Sequence, residues 1–244
     1  MGDTGSGAAT PKNKGKKSEA RPSFTPQKYR ELVRKMAHWI KGGGEGKNSE
    51  MHELLRDYVL VLANKGIRHG TEAASLKWRN LDWITKDGVR YLRLTVNGIT
   101  GSRQLIARHA TANYLKRIQS PFADLQKISF DDLLKNRLDK AVFRFANGAP
   151  TKNLNQTFSK FMRDSGLAVG AASEKERTLY SLRHMYATFT LRDWIGIHEL
   201  ERQMGISVGM LEKHYSKITP ELVAAKFAGK LIKRHGFSTY DRHE

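Results

Sequence analysis

Residues 89–108 set the tightest limit on the fold. Two runs, VRYLRLTV at 89–96 and RQLIAR at 103–108, read as strands, and Asn97-Gly98-Ile99-Thr100-Gly101-Ser102 joins them. Gly98 and Gly101 make that join a hairpin. Most of the surrounding sequence has helical spacing instead. Thr25-Pro26 is a helix start, threonine as N-cap and proline in the first turn. The helix it opens is expected to run to Ile40, where Gly42-Gly43-Gly44 stops it. A second helix is expected over 49–65, with Leu54, Leu55, Tyr58, Val59 and Leu62 on one stripe and Gly66 at its C-terminal cap. Further helical patterns occupy 110–119, 129–136, 151–165, 178–194, 197–204, 207–215 and 219–232. The fold class is α+β: a mostly helical domain carrying one small antiparallel sheet.

At 244 residues the chain can bury a sizeable core, so one domain with appendages is the natural reading. Residues 1–21 are small, polar and basic, too poor in apolar side chains to fold, and read as a disordered arm or linker. The domain is expected over 22–232, with 233–244 as a C-terminal tail. The formal net charge is +19, from 43 Lys and Arg against 24 Asp and Glu. The first 28 residues hold six positive and two negative charges, so most of the basicity belongs to the folded part. A domain this basic calls for a polyanionic partner, nucleic acid first. The absence of cysteine excludes disulfides and thiolate metal sites and fits a reducing compartment. No apolar run approaches the ~18–20 residues of a membrane span, and no secretory signal core is present. A soluble, intracellular protein is expected.

Three segments carry residues suited to phosphate chemistry. Asn64-Lys65-Gly66-Ile67-Arg68 ends the second helix, with Glu72 following. Tyr180-Ser181-Leu182-Arg183-His184 sets Tyr180 and Arg183 on one helical face. Met204-Gly205-Ile206-Ser207 leads to Glu212-Lys213-His214-Tyr215, whose tyrosine lies 32 residues after Arg183. Forked, permanently charged guanidiniums match the oxygens of a phosphate that gains negative charge during reaction. A phenol, with a free pKa of about 10, becomes a nucleophile where flanking positive charge favours its phenolate. Taken singly, each arginine is more often a solvated surface charge, and a His-Tyr pair on an amphipathic helix is more often packing with a polar tip. Trp78, Trp83 and Trp194 read as core or partial core. The histidines show no paired metal-ligand spacing.

The conjunction of these segments, in this order and spacing, resembles the catalytic domain of tyrosine recombinases, the phage-integrase family, over about 22–232. The resemblance implies that Arg68 and Arg183 clamp a scissile phosphate, that Glu72 supports the site, and that Tyr215 is the nucleophile. It places Tyr180 where the family usually has histidine and Ile206 where it has histidine or tryptophan. The hairpin keeps the frame of a Gly-Lys-Thr-Gly motif as Gly98-Ile99-Thr100-Gly101, with Ile99 at the position of the general-acid lysine. Arg103, His184 and Lys213 are the expected DNA contacts among the neighbouring basic residues.

The same resemblance implies site-specific recombination or integration of duplex DNA through a 3′-phosphotyrosine, with neither metal nor nucleotide cofactor, by a synaptic tetramer. C-terminal elements would be exchanged between protomers, with residues 219–244 as the candidate. The setting it implies is a mobile element in a bacterial cytoplasm, at the nucleoid, with no membrane partner. Family members usually carry a further N-terminal helical domain that closes around DNA. A chain of this extent is therefore expected to be a fragment or a product lacking that domain. Two rivals stay open. One is a catalytically impaired, integrase-like DNA-binding remnant, suggested by Ile99 and Ile206. The other is a basic RNA- or ribosome-associated protein, which needs only the charge.

Overall fold

The structure is a computed structural model and describes residues 22–42, 47–98, 101–151, 154–170, 173–193, 195–215, 231–234 and 237–240. Its helices are α1 (Pro26–Lys41), α2 (Lys47–Ala63), α3 (Ala110–Gln119), α4 (Phe130–Lys135), α5 (Leu154–Asp164), α6 (Leu179–Arg192), α7 (Ile197–Met204) and α8 (Val208–Tyr215). α1 begins as its sequence dictates: Thr25 Oγ1 accepts from the Lys28 amide at 3.2 Å, and Pro26 occupies the first turn.

The second helix buries its expected stripe and more. Leu60, Val61 and Ala63 are buried along with Leu55, Tyr58, Val59 and Leu62, so the C-terminal half of α2 is enclosed all round. The reason is its position: α1, α3, α5 and α6 all pack against it. A helix surrounded in this way needs apolar residues on every face rather than on one. The chain turns away from it at Gly66, whose φ of +62° is left-handed. A Cβ there would lie 2.4 Å from the Tyr186 ring, so both conformation and space require glycine.

The sheet is a three-stranded antiparallel meander in the order β1 (Leu81–Lys86), β2 (Val89–Gly98), β3 (Gly101–Ile106). β2 presents Leu92, Leu94 and Val96 to the core, the alternation its sequence promises. Its strands pair out to Gly98↔Gly101, closer to the hairpin tip than expected. β1 has no counterpart among the expected strands. It joins β2 through Asp87-Gly88, both at positive φ, an Asp-Gly turn of the kind that fits strand twist. Trp83 on β1 packs edge-on against Phe130 of α4 and donates its indole N–H to Asp131 at 2.8 Å. Trp78 is fully buried, Trp83 half-buried, and Trp194 lies outside the described residues.

Two short ribbons also add to the expected pattern: β4 (Val169–Gly170) with β5 (Ser173–Glu176), and β6 (Leu231–Arg234) with β7 (Phe237–Tyr240). The helix expected over 219–232 lies outside the described residues except for Leu231 and Ile232, which are extended. The arm at 1–21 also lies outside them. Among the described residues no helix is long and apolar enough to cross a membrane, and no group of three His, Asp or Glu side chains could hold a metal.

Lys65, just past α2, has no exposed surface, and its Nζ has no hydrogen-bond partner. Burial pushes its pKa well below the ordinary 10.5. Between that depressed value and 10.5 the unfolded chain binds the extra proton, so this residue's contribution to stability improves as pH rises. Lys65→Met is expected to stabilise the fold at pH 7 by roughly 1–3 kcal/mol, the cost of a buried unpaired donor. Thermal denaturation at pH 7 and near pH 10 checks this: the variant's advantage shrinks at the higher pH.

Candidate functional site

Three elements meet beyond the end of α2. Arg68 follows Gly66 and opens a single π-helical turn, His69–Ala73, that carries Glu72. Arg103 comes from β3 and Arg183 from the middle of α6. All three converge on the C-terminal end of α7, where a helix leaves carbonyls without internal partners. Arg103 Nε donates to Gln203 O at 3.4 Å, Arg183 Nη2 to Met204 O at 2.7 Å, and Arg68 Nη2 to Gly205 O at 2.8 Å. Three consecutive carbonyls thus each take a different arginine, at the end of the helix whose dipole favours positive charge.

Gly205 makes this geometry possible. It caps α7 with φ +60° and ψ +52°, the left-handed turn that exposes the last carbonyls. A Cβ on it would come within 3.0 Å of the Arg103 side chain. Gln203 adds a second link. Its amide accepts from the Ile106 N–H at 3.1 Å and donates to the Ile106 carbonyl at 2.8 Å, so α7 is clasped to the edge of β3.

Glu72 holds the other side of the cluster. It has no exposed surface, and Oε1 takes Arg68 Nη1 and Arg103 Nη1 at 2.5 Å each. Oε2 takes Arg103 Nη2 at 2.7 Å and the Arg68 amide at 2.8 Å. Burial works to raise this carboxyl, but hydrogen bonds from Arg103 and from the Arg68 backbone outweigh it and hold the group at about 2. The end of β2 sits directly on it: a Cβ at Gly98 would lie 2.7 Å from Glu72 Oε1.

Arg183 is 2% exposed and bonds Gly66 O as well as Met204 O. Its Nε is buried without a partner. Burial and then the neighbouring Arg68 lower its pKa to about 10, which leaves it protonated at neutral pH. Three guanidiniums against one carboxylate leave two positive charges uncompensated in this cluster. Such a surplus is stable only where an anion can be received or solvent still reaches, and Arg68 keeps 24% of its side chain exposed.

The structure therefore brings Arg68, Glu72, Arg103 and Arg183 together. Arg103, expected to face DNA, has its Nη atoms bonded to Glu72 and is only 13% exposed. Tyr180 is half-buried, its ring edge-on to His184 at 4.9 Å. Ile206 packs against the small cluster of Tyr186, Ala187, Leu200, Met204 and Leu211. Tyr215 is the last residue of α8, and Leu211 buries that helix against the same cluster. The side chains of Lys213, His214 and Tyr215, and the whole of Ile99, lie outside what is described. Gln203 and the α7 carbonyls escape sequence reasoning, because a glutamine in an amphipathic helix carries no local mark of a cross-strand clasp.

No family model and no curated protein matches the sequence. Solved structures do resemble it. XerH site-specific recombinase, bound to palindromic difH substrate in a post-cleavage complex, superposes with a TM-score of 0.56 at 15% identity. That match covers 84% of this chain and 53% of the other. XerA recombinase gives 0.52 at 17% identity, over 85% and 65%. The Tn1549 transposon integrase in complex with circular intermediate DNA gives 0.52 at 17%, over 86% and 65%. This chain spans about half the length of the XerH chain. The fold is that of the tyrosine-recombinase catalytic domain, as the resemblance of its motifs implied.

Removing the Glu72 charge leaves two buried or half-buried guanidiniums facing each other. Glu72→Gln is expected to destabilise the domain by about 3 kcal/mol at neutral pH, the usual scale for breaking a buried pair. With a folded pKa depressed from 4.5 to about 2, Glu72 stabilises fully above the unfolded value and loses that contribution as pH falls between the two. Denaturant titrations from pH 6 down to pH 2 should show the wild type losing stability in this window and the variant losing less.

Proposed function

We propose that this chain is the catalytic part of a tyrosine recombinase acting on duplex DNA. The observation that carries the reading is the convergence of Arg68 and Arg183 on adjacent carbonyls, with two positive charges in excess and a buried Arg183 Nε that lacks a partner. A phosphodiester supplies the missing anion. Arg68 and Arg183 would hold its non-bridging oxygens and stabilise the charge that builds as a fifth oxygen approaches phosphorus. Glu72 and Arg103 act behind them, fixing Arg68. Tyr215, ten residues beyond Gly205 on the following helix, is the nucleophile in this reading.

In that step the Tyr215 oxygen bonds to phosphorus, the phosphorus–5′ oxygen bond breaks, and the leaving 5′ oxygen takes a proton. The phenolic proton passes to solvent or a nearby base. Attack by a 5′ hydroxyl reverses the step, so the bond energy stays in the phosphotyrosine and no nucleotide is consumed. The Tn1549 integrase is in complex with circular intermediate DNA and XerH is bound to its palindromic difH substrate, which supports a DNA substrate for this fold. A synaptic tetramer and a mobile genetic element as source belong to the same proposal.

Ile206 favours a second reading, a DNA-binding module that has lost strand cleavage. Its side chain serves apolar packing and offers the phosphate no hydrogen bond. Loss of one such donor costs on the order of 10²–10³ in rate, and loss of a general acid ~10²–10⁴, while phosphate binding survives.

A nicked suicide duplex, built from sequences selected for binding and resolved under denaturing conditions, separates the two. The first reading expects a covalent adduct that Tyr215→Phe abolishes without loss of binding, and that Ile206→His increases about 100-fold. Tight binding with no adduct, even after Ile99→Lys and Ile206→His together, leaves the binding module.

A further inference from the structure

The solvent face of α1 carries a row of cations that the clamp does not use. Arg30, Arg34 and Lys41 are exposed, and at 100° per residue they fall within about 40° of one another around the helix. None of them has an ion pair among the described residues. Elsewhere on the surface, Arg79, Arg90, Arg93 and Arg163 each face a carboxylate. The single acid of α1, Glu31, lies off this row and is taken by Lys28 at 2.9 Å and Lys35 at 3.0 Å. Like charges four residues apart work against an isolated helix, so the row contributes nothing to folding that its buried face, Leu32 and Met36, does not already supply.

Its placement is informative. α1 runs antiparallel to α2: Trp39 stacks on His52 near the start of α2, and Tyr29 bonds Asn64 at its end. Arg30 therefore lies at the end of α2 that leads into Arg68, and the row extends from there for roughly 16 Å, comparable with the axial rise of about five base pairs.

We propose that the exposed face of α1 is a second duplex-DNA contact surface, on which Arg30, Arg34 and Lys41 meet backbone phosphates outside the clamp. The proposal depends on the duplex-DNA reading given above and adds a separate surface to it. Phosphate contacts position a duplex without reading its sequence, so the surface contributes affinity and register rather than site choice.

The test is the salt dependence of binding of the full chain to random-sequence duplex DNA, followed by fluorescence anisotropy. R30Q/R34Q/K41Q is compared with K86Q/K127Q/R137Q, which removes the same charge from exposed positions on the β1–β2 turn and on loops. Matching melting temperatures exclude unfolding. The first variant is expected to flatten the slope of log affinity against log salt by about 2–3, and the second to leave it near wild type. Equal slopes for the two variants, or a row variant that behaves as wild type, overturn the surface. A row variant that loses structured RNA but binds duplex as wild type overturns the choice of partner. If the wild type fails to bind duplex at low salt, the reading of the site falls first.

Discussion

The end of α7 is where this structure is held in register. A helix terminus presents carbonyls that nothing inside the helix can satisfy, and here three successive ones are met by arginines from three separate parts of the chain. The hairpin, the end of α2 and the centre of α6 are thereby tied to one turn, Met204-Gly205. Glu72 closes the arrangement from behind by bonding Arg68 and Arg103 together. Each participant is expensive to bury alone; Glu72 offsets one of the three positive charges, and every guanidinium has at least one backbone carbonyl as acceptor.

That arrangement also separates two kinds of chemistry. Binding and charge stabilisation depend on guanidiniums whose orientation is fixed before any ligand arrives, and the chain has these. The sequence has isoleucine at 99 and 206, and neither side chain can donate a proton. Ile206 is integrated into the packing of the α6–α7–α8 cluster rather than left over.

Much of the fold is legible in the residues. α7 falls where its pattern ends at Met204-Gly205, since a left-handed glycine cap is a local matter. The β2–β3 hairpin is legible from alternation and two glycines. β1 is not, although Asp87-Gly88 marks its turn, because residues 81–86 mix polar and apolar side chains without clean alternation. The all-round burial of α2 cannot be read either, since it depends on four other helices arriving around it. In the cluster, the type and order of Arg68, Glu72 and Arg183 are recognisable, while Gln203 and the pairing of Arg103 with Glu72 are not.

The sequence by itself determined which charges are available and where most of the helices and the hairpin begin and end. Those properties are set by neighbours a few residues away: a cap, a turn, a 3.6-residue period. Only the tertiary structure decided that Arg103 turns to Glu72 rather than to solvent, that Arg183 is enclosed with an unpaired Nε, and that α7 lends its carbonyls to the clamp. A guanidinium can bond any acceptor within reach. Which one it takes depends on loop closure and packing between segments distant in the chain, and local spacing carries no record of that choice.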